Sequence, residues 1–476
     1  MTTRSATLKD GRTVPYVEVE DPPMGGMKRV FFAPDRSQVI AFFHDKAAST
    51  DPNRIARLDA VVGRFNPTLD PETGAYWRQL FCWPTAIATK PELAVVAPTY
   101  PGNFFFATGP FKGKEKKGKW FSSPKLRKYL PEAEQGAWVN YFQICIRMAR
   151  AVRRLHQAGL AHSDLSCNNV LIDPTTGQCV VIDIDSLVVP GMFPPDVLGT
   201  AGYIAPEVLS TVHLPITDPK RSHANTRTDL HALPVLLHEY LLFRHPLAGP
   251  KIHPANSTEE QVQMEMGSAA LYIEHPTDRS NRPTDLTATS ADLGPALADL
   301  FQRAFVKGLH SPNDRPGAIE WEKALVRTYD LLHPCGNAKC THKWFAVHGP
   351  AATACPFCRT KLKEPVPVLK LRKEARPGQW IPDATLVVHD AGLGLFGWHA
   401  FDNQFPGEKA DRTRLGYFAK QNGKWLLVNE GLPSLTSPGG SRVATGTAVE
   451  LKPGAPFRLS QEPHGRMAEV ELYTPT

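Results

Sequence analysis

His162-Ser163-Asp164-Leu165-Ser166-Cys167-Asn168-Asn169 is the stretch on which the reading turns. It offers a carboxylate at Asp164 and a carboxamide five residues later at Asn169, and the apolar run Val170-Leu171-Ile172 follows at once. Fourteen residues beyond Asn169, a second apolar run, Val180-Val181-Ile182, ends in another acid within Asp183-Ile184-Asp185. Short apolar runs bounded by polar turns read as buried strands. Packing alone gives no reason for Asp164, Asn169 and Asp183 to gather around them, so these three are read as chemistry. Further on stand Gly199-Thr200-Ala201-Gly202-Tyr203-Ile204-Ala205-Pro206-Glu207, then Asp229 in Thr228-Asp229-Leu230-His231-Ala232-Leu233, then Arg315-Pro316.

In this order the five motifs resemble a protein kinase, over about residues 15–332. The first matches the catalytic loop H-R-D-x-x-x-x-N, whose Asp orients a substrate hydroxyl and whose Asn holds a metal ion. The resemblance gives Asp164, Asn169 and Asp183 those roles, Asp183 standing at the D-F-G position as the Mg²⁺ carboxylate. Glu207, Asp229 and Arg315 are expected to be buried architecture, with Arg315 paired to Glu207. The fold expected is α+β and two-lobed.

The same comparison exposes departures. Val39-Ile40-Ala41-Phe42-Phe43 lies where the family reads V-A-I-K, so Phe43 occupies the lysine position and cannot neutralise phosphates. Laying the nucleotide-covering pattern G-x-G-x-x-G-x-V over residues 23–30 puts Gly25 and Gly26 in the loop, Lys28 on the third glycine and Val30 on the adenine-capping valine. Ala41 would share that adenine site. A lysine at the third glycine is similar to the with-no-lysine kinases, and implies that Lys28 reaches the phosphates; an exposed turn lysine is the bland alternative. Lys46, Lys114 and Lys116 are weaker substitutes. In the family the phosphate lysine is paired by a glutamate on the helix that follows; the segment Arg54–Phe65 repeats apolar residues at helical spacing, yet contains no glutamate and only Asp59 as an acid. Ser163 replaces the usual Arg, Ser166 the usual Lys, and Asp185 the usual Gly, which reduces local backbone freedom.

Around this core the organisation is coarse. Residues 1–100 are strand-rich, with runs at 30–32, 39–43 and 94–96. Residues 101–332 are mostly helical, with amphipathic or apolar helices expected from Trp138 to near Gly159, and over Thr228–Leu242, Pro295–Lys307 and Pro316–Leu332. The 476 residues leave room for two to four domains. The net charge of +7 permits anionic partners without requiring nucleic acid. Much of the excess lies in Lys112–Lys128, which reads as a solvated loop or a basic rim. The N-terminal residues lack an apolar signal segment and no run is long enough to span a bilayer, so a cytoplasmic location and no membrane association are expected.

Four of the eight cysteines cluster. Cys335 and Cys340 form C-x4-C, and Cys355 and Cys358 form C-x2-C after fourteen intervening residues. Paired cysteine loops of this kind resemble a zinc ribbon, and four thiolates close a structural Zn²⁺ site with no position left for water. His342 and His348 read as loop residues. From residue 365 to 476 the chain reads as a small all-β domain, with a hairpin over Leu415–Asn429. It is similar to a forkhead-associated sandwich and nearly as much to an OB-type barrel.

Lys114–Phe121, Gly159–Ser166, Ile182–Asp185 and Arg244–Leu247 together resemble one bacterial kinase family. Its members are encoded with a von Willebrand A-type protein and a metal-dependent phosphatase in tellurite-resistance-like operons. That resemblance implies a kinase domain at 1–332 (N-lobe 1–100, C-lobe 101–332), a ribbon at 333–364 and a β-sandwich or barrel at 365–476. It also implies ATP with Mg²⁺ or Mn²⁺, a Ser/Thr protein substrate, and the two co-encoded proteins as partners. A pseudokinase scaffold, or a nucleic-acid-binding regulator built on ribbon and barrel, are the alternative readings.

Overall fold

The strand runs at 30–32, 39–43 and 94–96 belong to one antiparallel sheet in the computed structural model, which describes residues 2–24, 27–44, 50–195, 197–252 and 257–475. The sheet has six strands: β1 (Thr2–Leu8), β2 (Thr13–Glu18), β3 (Lys28–Phe32), β4 (Gln38–Phe43), β5 (Ala86–Lys90) and β6 (Ala94–Pro98), in the order β2-β1-β5-β6-β4-β3. Among the described strands β3 therefore lies at an edge. Period-two alternation divides the side chains between two faces. Ala6, Tyr16, Phe31, Ile40, Phe42 and Val96 pack on one; Ala41, Phe43, Ile87, Leu93 and Val95 pack on the other with Leu58. Leu58 comes from the helix Pro52–Val62, which Asp51 caps by accepting from the Asn53 and Arg54 amides.

The chain divides into two compact units. The first comprises residues 1–136, 143–285 and 300–322. Beyond the sheet it is mainly helical, with a short antiparallel hairpin of β7 (Val170–Asp173) and β8 (Gln178–Val181). The helix Thr226–Leu242 is buried along nearly its whole length, and Asn225 and Thr228 form its capping box. Asp229 on that helix accepts from the His162 amide at 2.9 Å and lies 3.0 Å from His156 Nε2. Arg315 donates to both oxygens of Glu207, at 2.7 and 2.8 Å, and to the carbonyls of Gly308, Leu309 and Arg227.

The Arg315 side chain is fully buried, while Glu207 keeps 25% exposure. Removing one member of such a pair strands the other charge. Glu207→Ala is therefore expected to destabilise this unit by about 2–3 kcal/mol, below the range for fully buried pairs because water reaches the glutamate. A urea midpoint that does not move would contradict this.

The basic run is not uniformly solvated. Lys116 is buried and pairs with Glu134 at 2.9 Å, with Asp173 at 3.7 Å, while Lys112, Lys114 and Lys119 are exposed. Gly118 in the same run approaches the Tyr240 hydroxyl so closely that a Cβ there would lie 1.6 Å from it.

The second unit comprises residues 137–142, 286–299 and 323–476. It holds the small hairpin of β9 (Leu332–Pro334) and β10 (Trp344–Ala346). Two four-stranded antiparallel sheets follow. One runs β12-β11-β18-β17, with β11 at Val366–Arg376, β12 at Gln379–Val387, β17 at Phe457–Arg458 and β18 at Met467–Tyr473. The other runs β13-β14-β15-β16, with β13 at Gly394–Phe396, β14 at Arg414–Gln421, β15 at Lys424–Asn429 and β16 at Ala448–Glu450. Both contribute to one core that includes Leu369, Leu386, Phe418, Leu427, Val449 and Val470. The β14–β15 hairpin turns at Asn422-Gly423, where φ is 49° and 77°. A two-residue loop with both φ values positive matches the right-handed twist of its strands, and Asn-Gly suits it best.

Candidate active site

Two loops bring the candidate residues together. Between His162 and β7 the chain turns back on itself: Asn169 Nδ2 donates to the Asp164 carbonyl at 2.8 Å and to its carboxylate at 2.9 Å. The Ile182 amide donates to the Asn169 carbonyl at 3.0 Å. Asp183, the next residue, thus emerges from β8 beside this loop. Its φ of 61° and ψ of 35° are left-handed. Aspartate tolerates that region better than most residues, but such an outlier persists only where the surroundings fix it. They do so here. Ser186 Oγ donates to the Asp183 carbonyl at 2.8 Å, and Ser163 Oγ donates to Ser186 Oγ at 3.1 Å. Ser163, where the family carries an arginine, thus braces the Asp183 turn.

Lys28 completes the group. It pairs across the sheet with Phe43, in a register that also sets Val30 opposite Ala41. The edge strand thereby places an ammonium beside the position where a lysine is missing. Lys28 Nζ lies 2.8 Å from Asp183 Oδ1, and 2.6 and 2.7 Å from the two oxygens of Asp185. Burial would depress the Lys28 pKa, but the Asp185 and Asp183 carboxylates outweigh it and hold the pKa above the ordinary lysine value. Burial likewise pushes Asp183 up, and the Lys28 ammonium overrides it, leaving the carboxyl below its usual range. The Phe43 ring lies under two cations, with Arg54 at 4.8 Å and Lys28 at 5.8 Å from its centroid.

Several expectations change at this point. Gly25 and Gly26, and the substitute Lys46, lie outside the described residues. Lys116 is not a phosphate candidate, since its charge is consumed by Glu134 inside the fold. Asp59 faces Lys9 and forms an ion pair with it, so it does not partner Lys28. Sequence reasoning missed three contributors. Asp185 appeared only as a lost glycine. Arg54 sits on the helix in which a glutamate was sought. Thr200 donates to Asp164 through its amide at 2.7 Å and its hydroxyl at 3.1 Å; the only signal for it was its fixed place ahead of Ala205-Pro206-Glu207.

The arrangement can place a substrate hydroxyl at Asp164 and offers oxygen ligands to a hard cation at Asp183 and Asn169. A small cavity beside Asp164 is lined by Leu198, Thr200, Tyr203, Ile204 and Val208.

In the second unit Cys335, Cys340, Cys355 and Cys358 converge, with all four sulfurs within 4.8 Å of one another. Cys335 and Cys358 lie 3.5 Å apart, and Cys340 and Cys355 3.9 Å apart. Neither distance is a disulfide, and all four cysteines are free. Tetrahedral Zn–S bonds of about 2.3 Å require sulfurs about 3.8 Å apart, so the set fits zinc. Burial raises the Cys358 thiol, but hydrogen bonding to Thr360 reverses this and brings it down to about 6. His342 stacks on Phe357, with ring centroids 3.7 Å apart, and is not part of the thiolate set.

A family model described as the protein kinase domain matches residues 125–318. A protein kinase domain is thus recognised in the helical part of the chain, and residues 1–124 fall outside the match. Among curated proteins, the serine/threonine-protein kinase WNG2 of Toxoplasma gondii is 34% identical over 122 residues. That match spans 25% of this chain and 20% of the relative, about a fifth of its length. Among solved structures, the kinase domain of a Toxoplasma gondii specific rhoptry antigen is similar with a TM-score of 0.41 and 13% identity, covering 69% of this chain and 86% of that one. No helix among the described residues is long and apolar enough to cross a membrane.

Proposed function

We propose that this protein is a Ser/Thr protein kinase that transfers the γ-phosphate of ATP to a partner protein, with Lys28 in place of the usual strand lysine. The observation that carries the proposal is the Lys28 ammonium at 2.8 Å from Asp183, opposite Phe43 in the sheet. The Lys28 side chain is part-buried and keeps its charge only through Asp183 and Asp185, which sets a cation where the nucleotide phosphates would arrive. Asp164 orients the acceptor hydroxyl and takes its proton, with Thr200 and Asn169 fixing the carboxylate. Asp183 and Asn169 would hold Mg²⁺ or Mn²⁺, which neutralises phosphate charge when bound. Val30 and Ala41 face the same side as Lys28 and would cover the adenine; Gly25 and Gly26 are assigned to the nucleotide on the sequence pattern alone.

The rest of the chain is assigned on the same terms. The boundaries 1–332, 333–364 and 365–476 separate kinase domain, ribbon and β domain. Cys335, Cys340, Cys355 and Cys358 hold a structural zinc. The paired four-stranded sheets support a forkhead-associated-like sandwich over an OB-type barrel, and the module docks proteins. A von Willebrand A-type protein and an opposing phosphatase are the partners that the sequence resemblance suggests, and the setting is a bacterial cytoplasm.

Incubation with labelled ATP, Mg²⁺ and casein tests the activity, reading transfer to casein or to the chain itself. Lys28→Met is expected to lower transfer at least tenfold, by loss of the part-buried cation for the phosphates. Transfer that survives this change assigns the phosphates to another base. A wild-type protein that transfers nothing under any metal sinks the kinase reading.

A further inference from the structure

We infer that Asp185 is a positioning residue that holds Lys28 for the nucleotide, the role that a helix glutamate serves in other kinases. This inference rests on the kinase reading above and deepens it.

The argument begins with what the helix Pro52–Val62 lacks. It contains no glutamate, and its one acid, Asp59, is committed to Lys9. The residue it directs at the Phe43 ring is Arg54, a cation. Among the described residues, then, the carboxylates within ion-pair distance of Lys28 are Asp183 and Asp185. These two are not equivalent. Asp185 offers both oxygens to Lys28 and its side chain is 9% exposed; Asp183 offers one, and its side chain is 33% exposed. The open carboxylate suits a cation arriving with the nucleotide, and the closed one suits a permanent partner.

One turn supplies both. Ile184–Ser186 forms a single 3-10 turn after the left-handed Asp183, braced by Ser186 and Ser163. The two carboxylates therefore keep a fixed spacing. Once Asp183 engages a metal ion, Lys28 still has Asp185, so its ammonium keeps its place beside Phe43 instead of following Asp183. Replacing the usual glycine here adds the charge that the helix no longer provides.

Wild type, Asp185→Asn, Asp185→Glu and Asp59→Asn are compared as full-length proteins. Three quantities are read: the KM and kcat for ATP, the Mg²⁺ requirement, and Lys28 acylation by an amine-reactive ester, followed by mass spectrometry. Asp185→Asn is expected to raise the KM for ATP about tenfold, with a smaller change in kcat, and to increase Lys28 acylation severalfold because the amine is no longer held by both Asp185 oxygens. Asp185→Glu should restore most of both, which a fold defect would not allow. Asp59→Asn should match wild type. An unchanged KM and unchanged acylation in Asp185→Asn overturn the inference while leaving the kinase reading intact. A raised Mg²⁺ requirement with unchanged acylation also overturns it, by making Asp185 a metal ligand. A wild type without transfer overturns the kinase reading and this role with it.

Discussion

Asp183→Asn is expected to lower phosphoryl transfer by about 10²–10³-fold, with little loss of folding stability, since asparagine also accepts the left-handed backbone at this position. The rate effect follows from the kind of reaction proposed. Phosphoryl transfer gains little from covalent chemistry and much from fixed charge, and removal of one such group costs this much in other enzymes. Stability is expected to hold because Lys28 keeps both oxygens of Asp185. The turn itself is tied by backbone groups, since Ser186 Oγ bonds to the carbonyl of residue 183 as well as to its side chain. Single-turnover transfer and a thermal melt, run on the same preparation, separate the two. A large drop in melting temperature beside the lost activity would assign Asp183 to architecture instead.

The second large effect concerns the thiolate set. Elemental analysis is expected to find one zinc per chain, and prolonged chelation to remove it and expose residues 332–362 to proteolysis. Metal binding of this kind is worth on the order of 10 kcal/mol in isolated zinc modules, more than a segment of this size gains by burial. The local structure is suited to depend on it. The β9–β10 hairpin is three residues per strand, too short to stand alone in water. Cys340 and Cys355 are buried while Cys335 and Cys358 are part-exposed, so a chelator meets the cluster from one side. A chain that purifies without metal, melts unchanged with chelator and shows four titratable thiols would remove zinc from the account.

Much of the site was legible because its residues travel in short motifs. Asn169 and Asp183 adjoin the apolar runs that form β7 and β8, Asp164 stands five residues before Asn169, and the hairpin brings the two loops together. Glu207, Asp229 and Arg315 were legible as architecture for the same reason. Helix starts were less exact where capping chemistry decided them: Asn225 moves the helix expected at residue 228 two residues earlier. The hairpin β1–β2 went unread because β1, Thr2–Leu8, buries only Ala6 and Leu8 among polar neighbours, too weak an alternation to register. Lys116 looked solvated inside a run of lysines, since nothing local announces that Glu134 will enclose its charge. Asp185 is the sharpest case. Its partner stands 157 residues earlier in the chain, and no local pattern can signal a contact of that range.

Phe43 decides which strand can carry the ammonium. Its side chain is 4% exposed and belongs to the packed face that includes Leu58, Ile87 and Val95. Two cations already rest on its ring. A Phe43→Lys substitution would place a third positive charge beside Lys28 and Arg54, and leave a hole where the ring had been. A lysine at residue 43 is therefore tolerated only if Lys28 is given up at the same time, so the two strands exclude each other as the source of the ammonium.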